Sequence, residues 1–217
     1  MNWDWSAVAD FMPRLLDGLV VTLQATLLGS LLAFALGLVW ALALRSPTRF
    51  VRWPVGVVTE FVRNTPLLVQ LFFFFYVLPV WGVQASPLVT GVIALGLHYS
   101  TYTAEVYRAG IDGVPRGQWE AAVALGLPRL HTWKAVVLPQ AVRRVVPALG
   151  NYVIAIFKET PLLAAITVLE MLQEARLFGA QTFQYVEPFT VVGIAFILLS
   201  YPTSLMLRAL ERRLASY

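Results

Sequence analysis

Residues 120–139 read EAAVALGLPRLHTWKAVVLP and separate two strongly apolar parts of the chain. The Ala-rich beginning favours a helix, Gly126 suits the left-handed residue that ends one, and Pro128 prevents its continuation. A second helical stretch is expected at about 130–137, ending before Pro139. The segment therefore predicts a helix, a tight turn and a second short helix between apolar segments.

The composition on either side of this segment is that of a membrane protein. The 217 residues are 59% hydrophobic and 13% charged, and the mean hydropathy is +0.71. An ordinary soluble domain carries about 25% charged residues. We therefore predict an all-α integral membrane protein. The sequence contains no cysteine, which excludes disulfides and thiolate metal sites.

Apolar runs divide the chain into five predicted transmembrane helices, since a bilayer core needs about 20 helical residues per crossing. Glycine and proline at 79–87 split one long run into two helices. The predicted spans are 18–44, two that share residues 55–104 and meet at that turn, 147–169, and 188–207.

The basic residues set the predicted orientation, because Lys and Arg resist translocation. Of 16 Lys and Arg, 12 fall on one side: three after span one, six between spans three and four, and three after span five. This places the N-terminus outside and the C-terminus inside, with residues 1–14 as an outside interfacial segment. Residues 108–144 form a cytoplasmic loop, and 214–217 form a short tail. The net charge of +4 follows from this asymmetry and requires no nucleic acid partner.

Four motifs resemble one transporter family. Residues 120–139 resemble the EAA loop of ABC importer permeases, with Val136 where isoleucine is usual. EFVRNTPLLVQ at 60–70 resembles the E-x-x-R-G-T-P-L-L-x-Q signature of the polar amino acid permeases, which include the histidine and glutamine systems; Asn64 replaces the usual glycine. AEVYRAGI at 104–111 and FKETPL at 157–162 resemble further segments of the same family. The resemblance implies the type I ABC importer permease fold over residues 15–213.

The family resemblance also implies how the chain works. The EAA loop would be the coupling helix that inserts into an ATP-binding subunit, through Glu120, Ala121, Ala122, Gly126, Leu138 and Pro139. The implied partners are an ATP-binding subunit dimer, a second permease subunit (identical or related), an extracytoplasmic solute-binding protein and membrane lipid, all at the bacterial cytoplasmic membrane. The cargo would be a polar amino acid, or an ectoine-type compatible solute as in one branch of the family.

Small residues and charges in unusual places identify the other candidates. Small side chains at 121, 122 and 124 would let a partner approach the helix closely. Charges at membrane depth cost about 3 kcal/mol each unless they face a bundle interior or a wet cavity. Glu60 and Arg63 are three apart and can pair on a helix, whereas adjacent Lys158 and Glu159 need partners on other helices.

Prolines and polar side chains inside the apolar runs complete the predicted substrate path. Pro66 and Pro161 each follow a threonine and free a backbone carbonyl that must be satisfied internally. His98 and Tyr99 form a polar stripe in span three, and such groups can either line a path or only brace helices. The candidates are Glu60, Arg63, Thr65, Gln70, His98, Tyr99, Asn151, Lys158, Glu159 and Thr160. Glu105 is a weaker candidate, expected to reach toward the membrane surface.

Two further expectations concern activity and the outer surface. No GxxxxGK[ST] motif occurs, so ATP hydrolysis must lie on another chain and no cofactor is expected here. A passive channel or secondary transporter is the alternative of a different class, and it would need no ATPase docking loop. Residues 170–185 predict an outside amphipathic helix with Glu170, Glu174 and Arg176 on its polar side.

Overall fold

All the regular secondary structure in the described part of the chain is helical. The computed structural model describes residues 3–215, and no strand occurs among them. The helices are α1 (Trp5–Leu44), α2 (Arg49–Asn64), α3 (Leu67–Phe72), α4 (Pro87–Asp112), α5 (Arg116–Ala124), α6 (Arg129–His131), α7 (Leu138–Glu159), α8 (Met171–Thr182) and α9 (Val186–Ala215). π-helical turns follow α3 (Phe73–Val77) and α6 (Thr132–Val137), and 3-10 segments cover Leu78–Trp81 and Thr160–Ile166.

Three helical stretches are long and apolar enough to cross a membrane: Trp5–Leu44, Arg129–Ile166 and Val186–Arg213. A fourth counts only if Arg49–Asn64 and Leu67–Trp81 are taken together, and these two are bent by 102°. α4 is 26 residues long, but polar side chains in its second half lower its hydropathy. The chain is a multi-pass membrane protein, while five spans and their orientation stay predictions.

Helix α1 continues without a break from residues 5–14, which are predicted to form an outside interfacial helix, into the first predicted span. Asp4 caps the helix, since its carboxylate accepts the backbone N–H of Ser6 at 2.8 Å, and Pro13 lies inside the helix. Forty residues correspond to about 60 Å. No change in backbone marks residue 14.

A stripe of small residues on α1 lets α4 approach closely. Gly29, Ala33, Gly37 and Ala41 recur every fourth residue, and all are buried. The Thr103 hydroxyl of α4 donates to the Ala33 carbonyl at 2.8 Å. Small residues at this spacing are typical of tightly packed membrane helices.

Gly37→Ala is expected to destabilise the protein, because an added Cβ would clash with the Thr103 hydroxyl and lie 2.9 Å from the Ser100 carbonyl oxygen. Overpacking of this kind costs about 1–3 kcal/mol. Thermal unfolding in detergent should show a lower Tm. Gly193→Ala is the control, since nothing lies within 4 Å of a Cβ there; equal Tm values for both variants would contradict the close α1–α4 crossing.

Two Thr-Pro pairs break the helices, as the sequence predicts, and neighbouring side chains satisfy the freed carbonyls. Pro66 cannot donate to the Val62 carbonyl, which instead accepts Gln70 Nε2 at 2.8 Å. Pro161 cannot donate to the Phe157 carbonyl, which accepts the Thr160 hydroxyl at 2.8 Å. The segment after the second break packs against α3, so the two breaks lie in one region of the fold.

Helix α8 is present as predicted, but Glu170 is not on a solvated polar face. It is 0% exposed and caps the helix, accepting the backbone N–H groups of Leu172 at 2.9 Å and Gln173 at 2.7 Å. The first N–H groups of a helix have no partner within the helix, and in this packed corner the Glu170 carboxylate accepts them in place of water. Burial raises the pKa of Glu170 to about 7, although the two N–H groups favour its charged form.

The stability of the protein should fall between pH 4.5 and about 7. The folded state holds the Glu170 proton more tightly than the unfolded state, whose pKa is 4.5, so the contribution is complete below pH 4.5 and lost above pH 7. The change amounts to about 3 kcal/mol. Thermal unfolding across this range should flatten in Glu170→Gln and stay pH-dependent in Asp10→Asn, an exposed carboxyl; an unchanged slope in Glu170→Gln would refute this origin.

Candidate functional site

Arg63, at the end of α2, joins α2 to α4. Its Nη2 donates to the Thr101 carbonyl at 2.9 Å and to Glu105 at 3.3 Å. Its Nη1 lies 3.5 Å from Glu60, which confirms the predicted pair. The guanidinium also lies over the Tyr102 ring, 5.7 Å from the centroid. One cation is therefore held between two carboxylates, a carbonyl and an aromatic face.

Four rings continue the site from Arg63 toward α7. His98 contacts Tyr99 and Tyr102, with centroids 5.4 and 5.3 Å apart. Tyr152 of α7 lies 6.0 Å from Tyr99 and 6.1 Å from Tyr102. The polar stripe predicted in span three thus meets α7 as an aromatic cluster. Such rings can contact a cationic group or pack an apolar one.

Gln70 links this aromatic cluster to the helix break. Its Nε2 lies 2.9 Å from His98 Nδ1 and donates to the Thr65 carbonyl at 2.9 Å. The residue is only 7% exposed, and its Oε1 has no hydrogen-bond partner among the described residues. Gln70 therefore holds His98 next to the helix break at residues 65–66.

The other predicted path residues are more scattered. Thr65 and Thr160 bond backbone carbonyls at the two breaks. Asn151 donates to Glu211 of α9 at 2.9 Å rather than to a residue of the Arg63 cluster. Lys158 is exposed and Glu159 half-buried; neither has an ion pair with any residue of 3–213, so the partners expected on other helices are not found.

Sequence reasoning undervalued Glu105 and did not single out Tyr102, although both contact Arg63. Glu105 bridges two cations, accepting Arg108 at 3.0 Å and Arg63 at 3.3 Å, rather than simply reaching outward. Its spacing from Arg108 gives an i,i+3 pair that the sequence already contained. No group of three metal-ligating side chains occurs within the described residues.

The loop between α4 and α7 has the predicted turn. Gly126 has φ +67°, its N–H donates to the Val123 carbonyl at 2.9 Å, and the Leu127 N–H donates to the Ala122 carbonyl at 3.0 Å. These two bonds form a Schellman motif, the turn that a left-handed glycine permits. Nothing lies within 4 Å of a Cβ built at Gly126, so the turn is open to solvent.

Two details of the loop differ from the prediction. Ala122 is 2% exposed and packs inward, so of the three small side chains only Ala121 and Ala124 face solvent. The second helix does not end before Pro139, because the π-helical turn Thr132–Val137 leads directly into α7. The Leu138 N–H bonds the Trp133 carbonyl, five residues back. This widened turn accommodates a proline that cannot donate. Glu120 and Leu138 are exposed.

Aromatic and polar contacts brace the loop against the end of α7. The Trp119 and Trp133 rings meet edge to face at 5.3 Å, beside a buried cluster that includes Val114 and Val137. Gln140 donates to Gln118 at 3.2 Å. Because these contacts hold the loop rigidly against α7, a force applied to the exposed turn can be transmitted to the membrane helices.

Comparison with known proteins agrees with this architecture. Residues 33–216 match the family described as binding-protein-dependent transport system inner membrane component. The chain belongs to this family. It is a transport component and not an enzyme, and ATP hydrolysis lies on a separate subunit.

The relatives of this permease are full-length matches. It is 45% identical over 210 residues to a probable amino-acid ABC transporter permease of Sinorhizobium fredii, y4tG, covering 97% of this chain and 91% of the relative. It is 35% identical to the arginine transport system permease ArtQ of Bacillus subtilis, covering 100% and 99%. It is 36% identical to the L-cystine permease TcyB of the same organism, covering 98% and 92%.

Solved structures give the same result. A chain in the crystal structure of an amino acid ABC transporter with histidines superposes with a TM-score of 0.92 at 32% identity, covering 98% of this permease and 100% of that chain. The inward facing methionine transporter MetNI gives a TM-score of 0.74 at 18% identity, covering 93% and 98%, which supports the fold alone.

Proposed function

We propose that this permease is the membrane-spanning subunit of an ATP-driven importer of polar amino acids in a bacterial cytoplasmic membrane. Two permease subunits, identical or related, form the path, and an extracytoplasmic solute-binding protein delivers the cargo. ATP-driven closure of the paired ATPase subunits pulls on the loop between α4 and α7. The path then alternates between inward-facing and outward-facing states, each favoured by the ligand that it binds best.

One observation carries this proposal: the open Schellman turn at Gly126 on a loop braced by Trp119 and Trp133. A passive channel or secondary transporter has no use for a rigid, solvent-exposed turn joined directly to a membrane helix. Glu120 offers a fixed charge on the same helix for an ATP-binding subunit. Docking at this loop would couple that subunit to α7, since no break separates the turn Thr132–Val137 from α7.

The Arg63 cluster supports a zwitterionic cargo. Arg63 can bind a carboxylate, since guanidinium groups bind carboxylates in a bidentate fashion. Glu60 and Glu105 lie within 3.5 Å of the same guanidinium and can attract an ammonium group. Ectoine-type solutes carry both charges too, but two relatives are named for the transport of arginine and of L-cystine, which favours amino acids.

The test is ligand-stimulated ATP hydrolysis by the permease reconstituted with its ATP-binding subunit and binding protein. Individual amino acids and ectoine are screened in parallel, and stimulation by polar amino acids is expected. Stimulation by ectoine alone would replace the proposed cargo. Transport that persists without any ATP-binding subunit would instead establish the channel or secondary transporter. Co-purification of the ATPase subunit should be lost in Gly126→Asp and Glu120→Arg.

A further inference from the structure

An open cleft of about 750 Å³ lies where the end of α1 meets α2 and α4. Its charged lining consists of Arg49, Arg52 and Arg108 with Glu60, and Trp53 contributes an aromatic wall. Three guanidinium groups face one carboxylate, so the lining carries an excess of positive charge. The cleft adjoins the Arg63 site, since Glu60 belongs to both, but none of the aromatic side chains around His98 lines it.

The excess charge is not neutralised within the described part of the chain. Arg108 is held by Glu105 at 3.0 and 3.2 Å, and Glu60 is engaged by Arg63 at 3.5 Å. The side chains of Arg49 and Arg52 have neither an ion pair nor a hydrogen bond with any residue of 3–213. Two cations therefore remain available to an anionic ligand from outside the chain.

Helix α2 has the features of a helix that lies in a membrane interface. It is bent by 102° from the apolar segment that follows it. Phe50 is 92% exposed and Trp53 65% exposed, directly beside Arg49 and Arg52. Basic and aromatic residues together on an amphipathic helix are typical of the boundary between headgroups and acyl chains.

We propose that this cleft binds the headgroup of an anionic phospholipid. Arg49 and Arg52 hold the phosphate, because guanidinium groups pair with phosphate oxygens in a bidentate geometry. Trp53 and Phe50 lie against the glycerol and the first acyl carbons. A lipid suits the site better than free phosphate does, because its acyl chains can cover the exposed aromatic surface next to the arginines and phosphate cannot. The bound lipid would anchor α2 beside the 102° bend that leads into α3.

The experiment measures lipid binding to the full chain in neutral detergent, by native mass spectrometry with phosphatidylglycerol and phosphatidylcholine as probes. Phosphatidylglycerol should stay bound to the protein, and phosphatidylcholine should dissociate from it. Arg49→Gln/Arg52→Gln should weaken phosphatidylglycerol binding roughly thirtyfold. Arg208→Gln/Arg212→Gln removes the same charge from the end of α9 and should change binding less than threefold. Unchanged Tm values in both double variants show that folding is intact.

Several outcomes would overturn the proposal. Equal losses in the two double variants would indicate attraction to net charge rather than to the cleft. Equal retention of phosphatidylcholine would exclude headgroup recognition, and displacement by millimolar inorganic phosphate would identify a free-phosphate site. Because no nucleotide, amino acid or partner subunit is added, failure here leaves the proposed transport function untouched.

Discussion

Gly126→Val is expected to reduce ATP-coupled transport strongly while leaving the membrane helices folded. A residue with φ +67° lies in the left-handed region, which costs an ordinary side chain about 1–2 kcal/mol and a β-branched one more. The Schellman bonds to Val123 and Ala122 would break, and the exposed turn would lose its shape. We expect at least a tenfold drop in ATP-dependent uptake by proteoliposomes, with little change in Tm.

Gly126→Asn provides the matched control. Asparagine tolerates the left-handed conformation, and neither side chain meets any atom of this chain within 4 Å of its Cβ. Uptake by Gly126→Asn should therefore stay within about threefold of the unchanged protein. Equal loss in both variants would mean that a partner excludes every side chain at this point, and the backbone conformation would not be the cause.

Arg63→Ala is expected to reduce transport by at least tenfold and to lower stability by about 2 kcal/mol. The substitution removes the bonds to the Thr101 carbonyl and Glu105, and hydrogen bonds to charged groups are worth about 1.5–3 kcal/mol. It also removes the cation over Tyr102. Uptake at several substrate concentrations, measured with thermal unfolding, checks both effects.

Arg63→Lys and Arg108→Ala separate a substrate contact from a brace between helices. Lysine keeps the charge but lacks the planar fork that reaches Thr101 and Glu60 together. A role in the path predicts a KM raised about tenfold with a nearly unchanged Tm for Arg63→Lys. If the transport rate of all three variants falls only in proportion to their Tm, the role of Arg63 is to hold the helices together and not to contact substrate. Arg108→Ala removes the other partner of Glu105 and should leave KM unchanged.

Sequence reasoning succeeded where a local rule determines the structure. Gly126 followed by Pro128 specifies a helix end, and the structure has that turn. Glu60 and Arg63 pair because three residues separate them on a helix. Pro66 and Pro161 break helices because a missing N–H is a property of the residue itself. In each case the physical cause lies within five positions along the chain.

Sequence reasoning failed where distant packing decides. Ala122 and Glu170 were expected to face outward, but both are buried. Asn151 resembles a path residue by position, yet Glu211, sixty positions away, binds its amide. Small residues recur at every fourth position of α1 in the sequence, but the sequence does not show that α4 packs against them. Hydropathy also cannot predict the 102° bend between α2 and the apolar segment that follows it.

The length of α1 has a consequence for the lipid environment. Its uncharged part, residues 18–44, is about 40 Å long, whereas the hydrocarbon layer is roughly 30 Å thick. The excess must be accommodated by tilting or by local thickening of the bilayer. Because α4 is packed along α1, a change of tilt would carry α4 and its Arg63 contacts with it. Acyl chain length in reconstituted vesicles should therefore affect the transport rate.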